Sequence, residues 1–317
     1  MNKGLLQDKC VARQRGIALV LVLWLVLALA GIASGFIYYV RLEARAVNNQ
    51  KLKASALALA EAGIVHAAFL LKNDTTIIDS PNDEWAKPVD QQLGEGTYSV
   101  TIVDEERKVN INYASETIMI KIGIRQDMAR EIIEYRKNKG MLDTITEIRM
   151  INRMDDDSYR LINDNFTTMG EININMADSA VLVGLMTGLG IEATKADRLA
   201  DEIVDRQPFT NVDKISEIVG DEIYQILKPI VTTVGGININ TTSESVLLAY
   251  EVDSGIIQSR PVETISNKSF TVSSKYFSVT ATGNNKGICK TIHAIYKRTK
   301  KDEKWEIENV YWLEDEC

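Results

Sequence analysis

Between Ile17 and Val40 the chain runs for 24 residues without a charged side chain, and it does so immediately behind a short basic leader. As a helix that stretch rises about 36 Å at about 1.5 Å per residue, enough to cross a hydrocarbon core of about 30 Å. The run is longer than the apolar core of a cleaved secretory signal and flows without a small-x-small site into Arg41 and beyond. Lys3, Lys9, Arg13 and Arg15 precede it against a single Asp8, which by the positive-inside rule keeps the N-terminus cytoplasmic. This much describes any single-pass anchor. The following residues constrain it further. No proline occurs between residues 17 and 80, alanine dominates residues 54–68, and Leu57, Ala60, Ile64, Ala67 and Leu71 recur at helical spacing. One helix of about 55 residues, 17–72, is expected to start in the membrane and continue outside it.

About 240 residues follow, enough for one or two further domains. The net charge of −8 argues against a general binder of nucleic acid or anionic lipid. Cys10 lies in the leader, so Cys289 and Cys317 can pair as one disulfide in an oxidising compartment or stay as two thiols. The two histidines, His66 and His293, sit in no metal-ligand spacing and beside no candidate nucleophile. No catalytic constellation is present, and no enzyme activity is expected.

A segment returns three times: Val109-Asn110-Ile111-Asn112, Ile172-Asn173-Ile174-Asn175 and Ile237-Asn238-Ile239-Asn240. The offsets of 63 and 65 residues are the size of a small domain. Arg136 to Glu147 and Arg206 to Glu217 are both eleven apart, which suggests one register for the first two units, about 109–170 and 171–235. Ser115 and Asp178 stand where each first helix needs an N-cap. The asparagines suit turn bonding. Residues 96–103 alternate as a strand, and residues 275–283, 288–297 and 305–312 read as a three-stranded meander.

Two resemblances follow. The order Arg15-Gly16, then the apolar run, resembles the prepilin signal of type IV pilins and pseudopilins. That implies cleavage by a prepilin peptidase between Gly16 and Ile17, N-methylation of Ile17, and retention of the helix. The repeated units, with Gly188-Leu189-Gly190 and a reduced Gly123-Ile124-Arg125 at the hairpins, resemble the helix-hairpin-helix fold. Its DNA-binding members offer glycine backbone N–H groups to phosphate. A membrane-anchored DNA receptor of the competence type is therefore the rival reading. Against it, residues 171–235 carry eleven acidic and five basic side chains, and Glu192 lies where a phosphate would come.

The leader, the helix, a sheet split by a helical insert and the insert itself together resemble the K-class minor pseudopilins of type II secretion. The fold expected is α+β: leader 1–16, helix 17–72, a pilin-like domain of 73–104 plus 270–317, and an all-α insert of 105–269. The resemblance implies a structural subunit at the tip of the pseudopilus. Its partners would be the I-class and J-class minor pseudopilins, and it would sit in the bacterial inner membrane with its bulk periplasmic. Leu21 stands where most pilins carry a glutamate that docks under the subunit above, and the K class lacks it too. Leu57, Ala60, Ile64 and Ala67 would form the small-residue stripe packing against neighbouring subunits. The family implies Ca2+, without assigning ligands here; Asp155-Asp156-Asp157 and the stretch Asp79 to Glu84 are the acidic loops with oxygens to offer.

Overall fold

The structure is a computed structural model. It describes the backbone of residues 4–139, 141–233, 235–302 and 304–317, and side chains within those ranges from residue 19 onward. Helix α1 spans Gly4–Lys72. The amide side chain of Asn73 closes its end by donating to the Phe69 carbonyl. Strands β1 (Val89–Leu93) and β2 (Gly96–Asp104) follow as a hairpin. The chain then leaves the sheet for three helical units.

The first unit contains β3 (Val109–Asn110), α2 (Glu116–Ile122), α3 (Gln126–Lys139), α4 (Asp156–Asn165) and β4 (Phe166–Thr167). The second contains β5 (Ile172–Asn173), α5 (Ser179–Gly188), α6 (Ala193–Asp205), α7 (Ser216–Val219), α8 (Asp221–Leu227) and β6 (Val231–Thr232). The third, shorter, has β7 (Ile237–Asn238), α9 (Glu244–Ala249), α10 (Ser254–Gln258) and β8 (Phe270–Thr271). The chain returns to the sheet as β9 (Tyr276–Asn285), β10 (Ile288–Lys301) and β11 (Lys304–Glu316). The sheet order is β1-β2-β9-β10-β11, antiparallel throughout. The fold is α+β, with all three units inserted between the adjacent strands β2 and β9.

The C-terminal part of α1 lies across one face of this sheet. Ala60, Ile64, Ala67 and Leu71 are buried against Val100, Ile102, Phe277, Val279, Ala281, Ile292 and Ala294. Small residues set the approach: a Cβ built on Gly283 would lie 2.1 Å from the Ala56 carbonyl oxygen, so only glycine lets β9 pass beneath the helix there. This corrects the expected use of the stripe. Ala60, Ile64 and Ala67, with Leu57 half-buried beside them, pack on the chain's own sheet and are not free for a neighbour. A helical apolar stripe says that something covers it, and here the nearest apolar surface is three strands of the same chain, β2, β9 and β10.

The three units share one polar frame, and it also corrects the expected register. In each, the first asparagine side-chain oxygen accepts from the backbone N–H of the second, across an Asx turn (Asn110–Asn112, Asn173–Asn175, Asn238–Asn240). The second asparagine then exchanges two hydrogen bonds with one backbone residue: Asn112 with Leu142, Asn175 with Phe209, Asn240 with Val262. A long polar side chain donates to two carbonyls of the same turn. Arg136 takes Ile111 and Ala114, Gln207 takes Ile174 and Ala177, and Arg260 takes Ile239 and Thr242. Arg136 therefore corresponds to Gln207, not Arg206, whose guanidinium pairs with Glu202 on the surface. Glu147 caps a turn at Thr144 whereas Glu217 pairs with Lys214, so the matching eleven-residue spacing was coincidental. The third return of the motif, not counted as a unit from sequence, opens a complete though shortened one. Its core is shared with the first unit, whereas the second has its own.

Candidate functional site

Among the described residues one helix is long and apolar enough to cross a membrane. Leu21 lies exposed on that span, with no charged group among its described neighbours on the apolar stretch 19–33. Gly16 and Ile17 lie outside the residues whose side chains are described. His66 contacts the Tyr98 hydroxyl and His293 the Thr280 hydroxyl. Cys289 and Cys317 are joined as a disulfide, with Cα atoms 5.8 Å apart.

The densest chemistry lies where the third unit meets the sheet. Arg298 is buried between the rings of Phe277 and Trp305, its guanidinium carbon 4.6 and 4.2 Å from their centroids. It donates to Asp74 at 2.9 Å and to Asp79 at 2.6 Å. Asp79 also accepts from the Ser274 backbone at 2.7 Å. The Ser274 hydroxyl, the Thr241 hydroxyl and the Asn238 amide all donate to one oxygen of Asp104, at 2.7, 2.6 and 3.0 Å. Burial pushes the Asp104 carboxyl up to about 6 in spite of these donors, and pushes Glu106 up to about 8, with the Asp104 charge adding to it. The first asparagine of the third motif thus ties its unit to the head through charged partners. Sequence patterning shows the asparagine but not Arg298 or Asp104, whose partners lie 219 and 134 residues away along the chain.

Carboxylate oxygens of Asp74, Asp79 and Asp83 lie within 4.8 Å of one another. Calcium requires about six to eight oxygen ligands. Here Arg298 already bridges Asp74 and Asp79, and Asp83 accepts from the Ser80 backbone, so a guanidinium holds the place a metal would take. In the other acidic loop Asp155 caps α4 by accepting from Ser158 N–H, Asp156 faces Arg149 and Asp157 faces Arg160. Neither set fits Ca2+.

The hairpins turn through left-handed residues at Gly123, Gly190 and Glu251. After the second, the Glu192 carboxylate accepts from the N–H groups of Thr194 and Lys195. These bonds and that of the Thr194 hydroxyl hold it below the usual carboxylate range. After the third, Asp253 accepts from Gly255 N–H. At the second and third hairpins the helix N-termini that a phosphate would use already carry the chain's own carboxylates.

The helix-hairpin-helix motif family matches residues 104–167. This is the first unit, whose hairpin is the less glycine-rich of the two singled out from sequence. No curated protein matches the chain. A solved structure of the GspK-GspI-GspJ complex from the enterotoxigenic Escherichia coli type 2 secretion system is similar at 16% identity and a TM-score of 0.43, covering 87% of this chain and 100% of the other.

Proposed function

We propose that this chain is a structural subunit of a type II secretion pseudopilus, of the K-class minor pseudopilin kind, and no enzyme. The observation that carries the reading is the unbroken α1: one helix is apolar and exposed over its first part and then packs on an antiparallel sheet over its last four turns. A helix so built anchors a folded head to a membrane and leaves its outer face, with Val65 and Phe69 exposed, for lateral packing. That face takes the role first given to the buried alanines. The helical units leave the sheet between adjacent strands and add bulk to the head, and Leu21 lacks the carboxylate that would dock beneath another subunit. Both suit the tip of a fibre begun with I-class and J-class subunits, after a prepilin peptidase has cut at Gly16 in the inner membrane. The bulk of the chain would then be periplasmic, where the Cys289–Cys317 bond is favoured.

Mass spectrometry of the chain from membranes, with immunogold labelling of assembled fibres, tests this. The expected result is an N-methylated Ile17 and label at one end of the fibre. A mature chain that keeps residues 1–16 would sink the pseudopilin reading, and label along the shaft would sink the tip.

The match over residues 104–167 favours a second reading, a membrane-anchored DNA receptor. Fluorescence anisotropy with duplex DNA at physiological salt separates the two. Helix N-termini capped by carboxylates at the second and third hairpins, and an acidic second unit, lead to no binding tighter than the non-specific range of about 10⁻⁴ M.

A further inference from the structure

The two edges of the sheet are built differently. At one, β1 is five residues long and carries Asp90, Gln91 and Gln92, a short polar edge of the kind that discourages pairing. At the other, β11 is thirteen residues long, hydrogen-bonded to β10 on one side and open on the other. Its centre is a run of exposed apolar side chains, Val310, Tyr311, Trp312 and Leu313, at 44, 37, 41 and 46% exposure. The register with β10 breaks between Ile295 and Tyr296, leaving Val310 at a bulge and Tyr311–Glu316 as the continuous stretch beyond it. That stretch is held in place. Cys317 is bonded to Cys289 in β10, and Glu316 pairs with Lys53 of α1 and Lys290 of β10 at 2.9 and 3.0 Å.

The faces of the stretch are distinct. Tyr311 and Leu313 lie opposite Ile295 and His293 and line a groove of about 540 Å³ shared with Tyr159 and Thr168 of the first unit. Trp312 lies opposite Ala294, on the side of α1. Charge says what fits. β11 carries five acidic residues and one lysine, and Glu308, Glu314 and Asp315 have no ion pair among the described residues. A second copy is a poor occupant. Antiparallel pairing about Val310 sets Glu306 against Glu314, and pairing about Tyr311 sets Glu308 against Glu314. Like charges directly opposite destabilise a strand pair.

We propose that the free edge of β11, along Tyr311–Glu316, docks an extended segment of a partner protein that carries lysine or arginine at alternate positions, adding a sixth strand to the sheet. Main-chain hydrogen bonds supply the affinity, Glu314 on the face of Trp312 selects the alternate basic residues, and the groove beside Tyr311 and Leu313 takes the side chains of the other face. This does not depend on the pseudopilus reading, because a basic strand is recognised by the edge whatever the chain's biological setting.

The test uses the full chain in phosphatidylcholine nanodiscs and a fluorescent seven-residue peptide of alternating valine and lysine. Two controls are the same peptide N-methylated on alternate residues and a valine–glutamate peptide. The lysine peptide is expected to bind at least about tenfold more tightly than either control, since one lacks a row of N–H donors and the other the charge. Leu313→Lys and, separately, Glu314→Lys are expected to weaken binding by about tenfold with the melting curve unchanged, both residues being exposed at the edge. Three results overturn the proposal: no binding of the lysine peptide, equal binding of its N-methylated form, or wild-type affinity in both variants. Sedimentation that shows the chain self-associating through the same edge, and dissociating with Leu313→Lys, overturns it in favour of a second copy.

Discussion

The joints between the helical units and the joint between those units and the sheet use the same residue in opposite electrostatic settings. Asn110 donates to the carbonyls of Met169 and Gly170 where the first unit hands over to the second. Asn173 donates to those of Gly235 and Lys268 at the next handover. Asn238, at the sheet, donates to a carbonyl of Asp79, the carboxylate of Asp104 and the Ser274 hydroxyl, with Arg298 behind them. At the first two joints the asparagine amide itself meets backbone carbonyls alone, although the Glu105 carboxylate, paired with Lys108, accepts from Thr167 beside the first. The third buries four ionisable groups, Asp79, Asp104, Glu106 and Arg298. A neutral joint is indifferent to pH and to single charge changes, and a charged one is sensitive to both.

The largest break in this comparison is expected from Arg298→Met, which keeps the packing between Phe277 and Trp305 and strands Asp74 and Asp79. Removing one partner of a buried pair costs about 3–5 kcal/mol. Urea unfolding of the chain in detergent, followed by tryptophan fluorescence, should show that loss, and a loss below about 1 kcal/mol would mean water reaches the joint.

Acidity should separate the joints next. Folded Asp104 holds its proton up to about 6 against an ordinary 3.8, so the folded state binds the proton more tightly than the unfolded one. Its contribution is fully present below about 3.8 and is lost as pH rises through about 6, a change of about 3 kcal/mol. Glu106 extends the same trend towards about 8. Hydrogen exchange, corrected for intrinsic rates, should therefore show the amides of Glu106 and Ser274 losing about a hundredfold protection between pH 4.5 and 7.5. The amides of Asn112 and Asn175, at the neutral turns, serve as the control and should hold theirs.

The smallest effect is expected from Asn173→Ala, which leaves the carbonyls of Gly235 and Lys268 and the N–H of Asn175 without that partner. The Lys268 carbonyl keeps the Gly235 N–H and Asn175 is only half-buried, so the chief loss is one buried group at about 1–3 kcal/mol, and the midpoint in the same urea experiment should fall less than for Arg298→Met. An equal fall would show that the neutral joints hold the molecule as firmly as the charged one.

Local chemistry was legible in the sequence, and distant chemistry was not. The apolar span, the helix ending at Lys72, the caps at Ser115 and Asp178 and the strands of the meander are set by residues within a few positions of one another, and each was read correctly within a few residues. β1 was missed because Val89-Asp90-Gln91-Gln92-Leu93 has little apolar patterning and forms as the hairpin partner of β2. The stripe on α1 was found, but periodicity reports that a face is covered and not by what. The register of the units failed where two helices differ in length, since Arg136 reaches from within α3 while Gln207 and Arg260 lie just past their helices. The joint to the sheet gave no signal, because Arg298 and Asp79 look like ordinary surface charges until the fold brings them together.

In each helical unit the entering and leaving segments lie side by side as two residues of parallel strand, Val109 beside Phe166, Ile172 beside Val231 and Ile237 beside Phe270. Each unit is therefore a closed excursion that returns the chain to its starting point. Duplicating or deleting the second cassette, whose core is its own, leaves the exit of β2 and the entrance of β9 where they were, so the number of such cassettes can vary by recombination without any change to the strands that flank them.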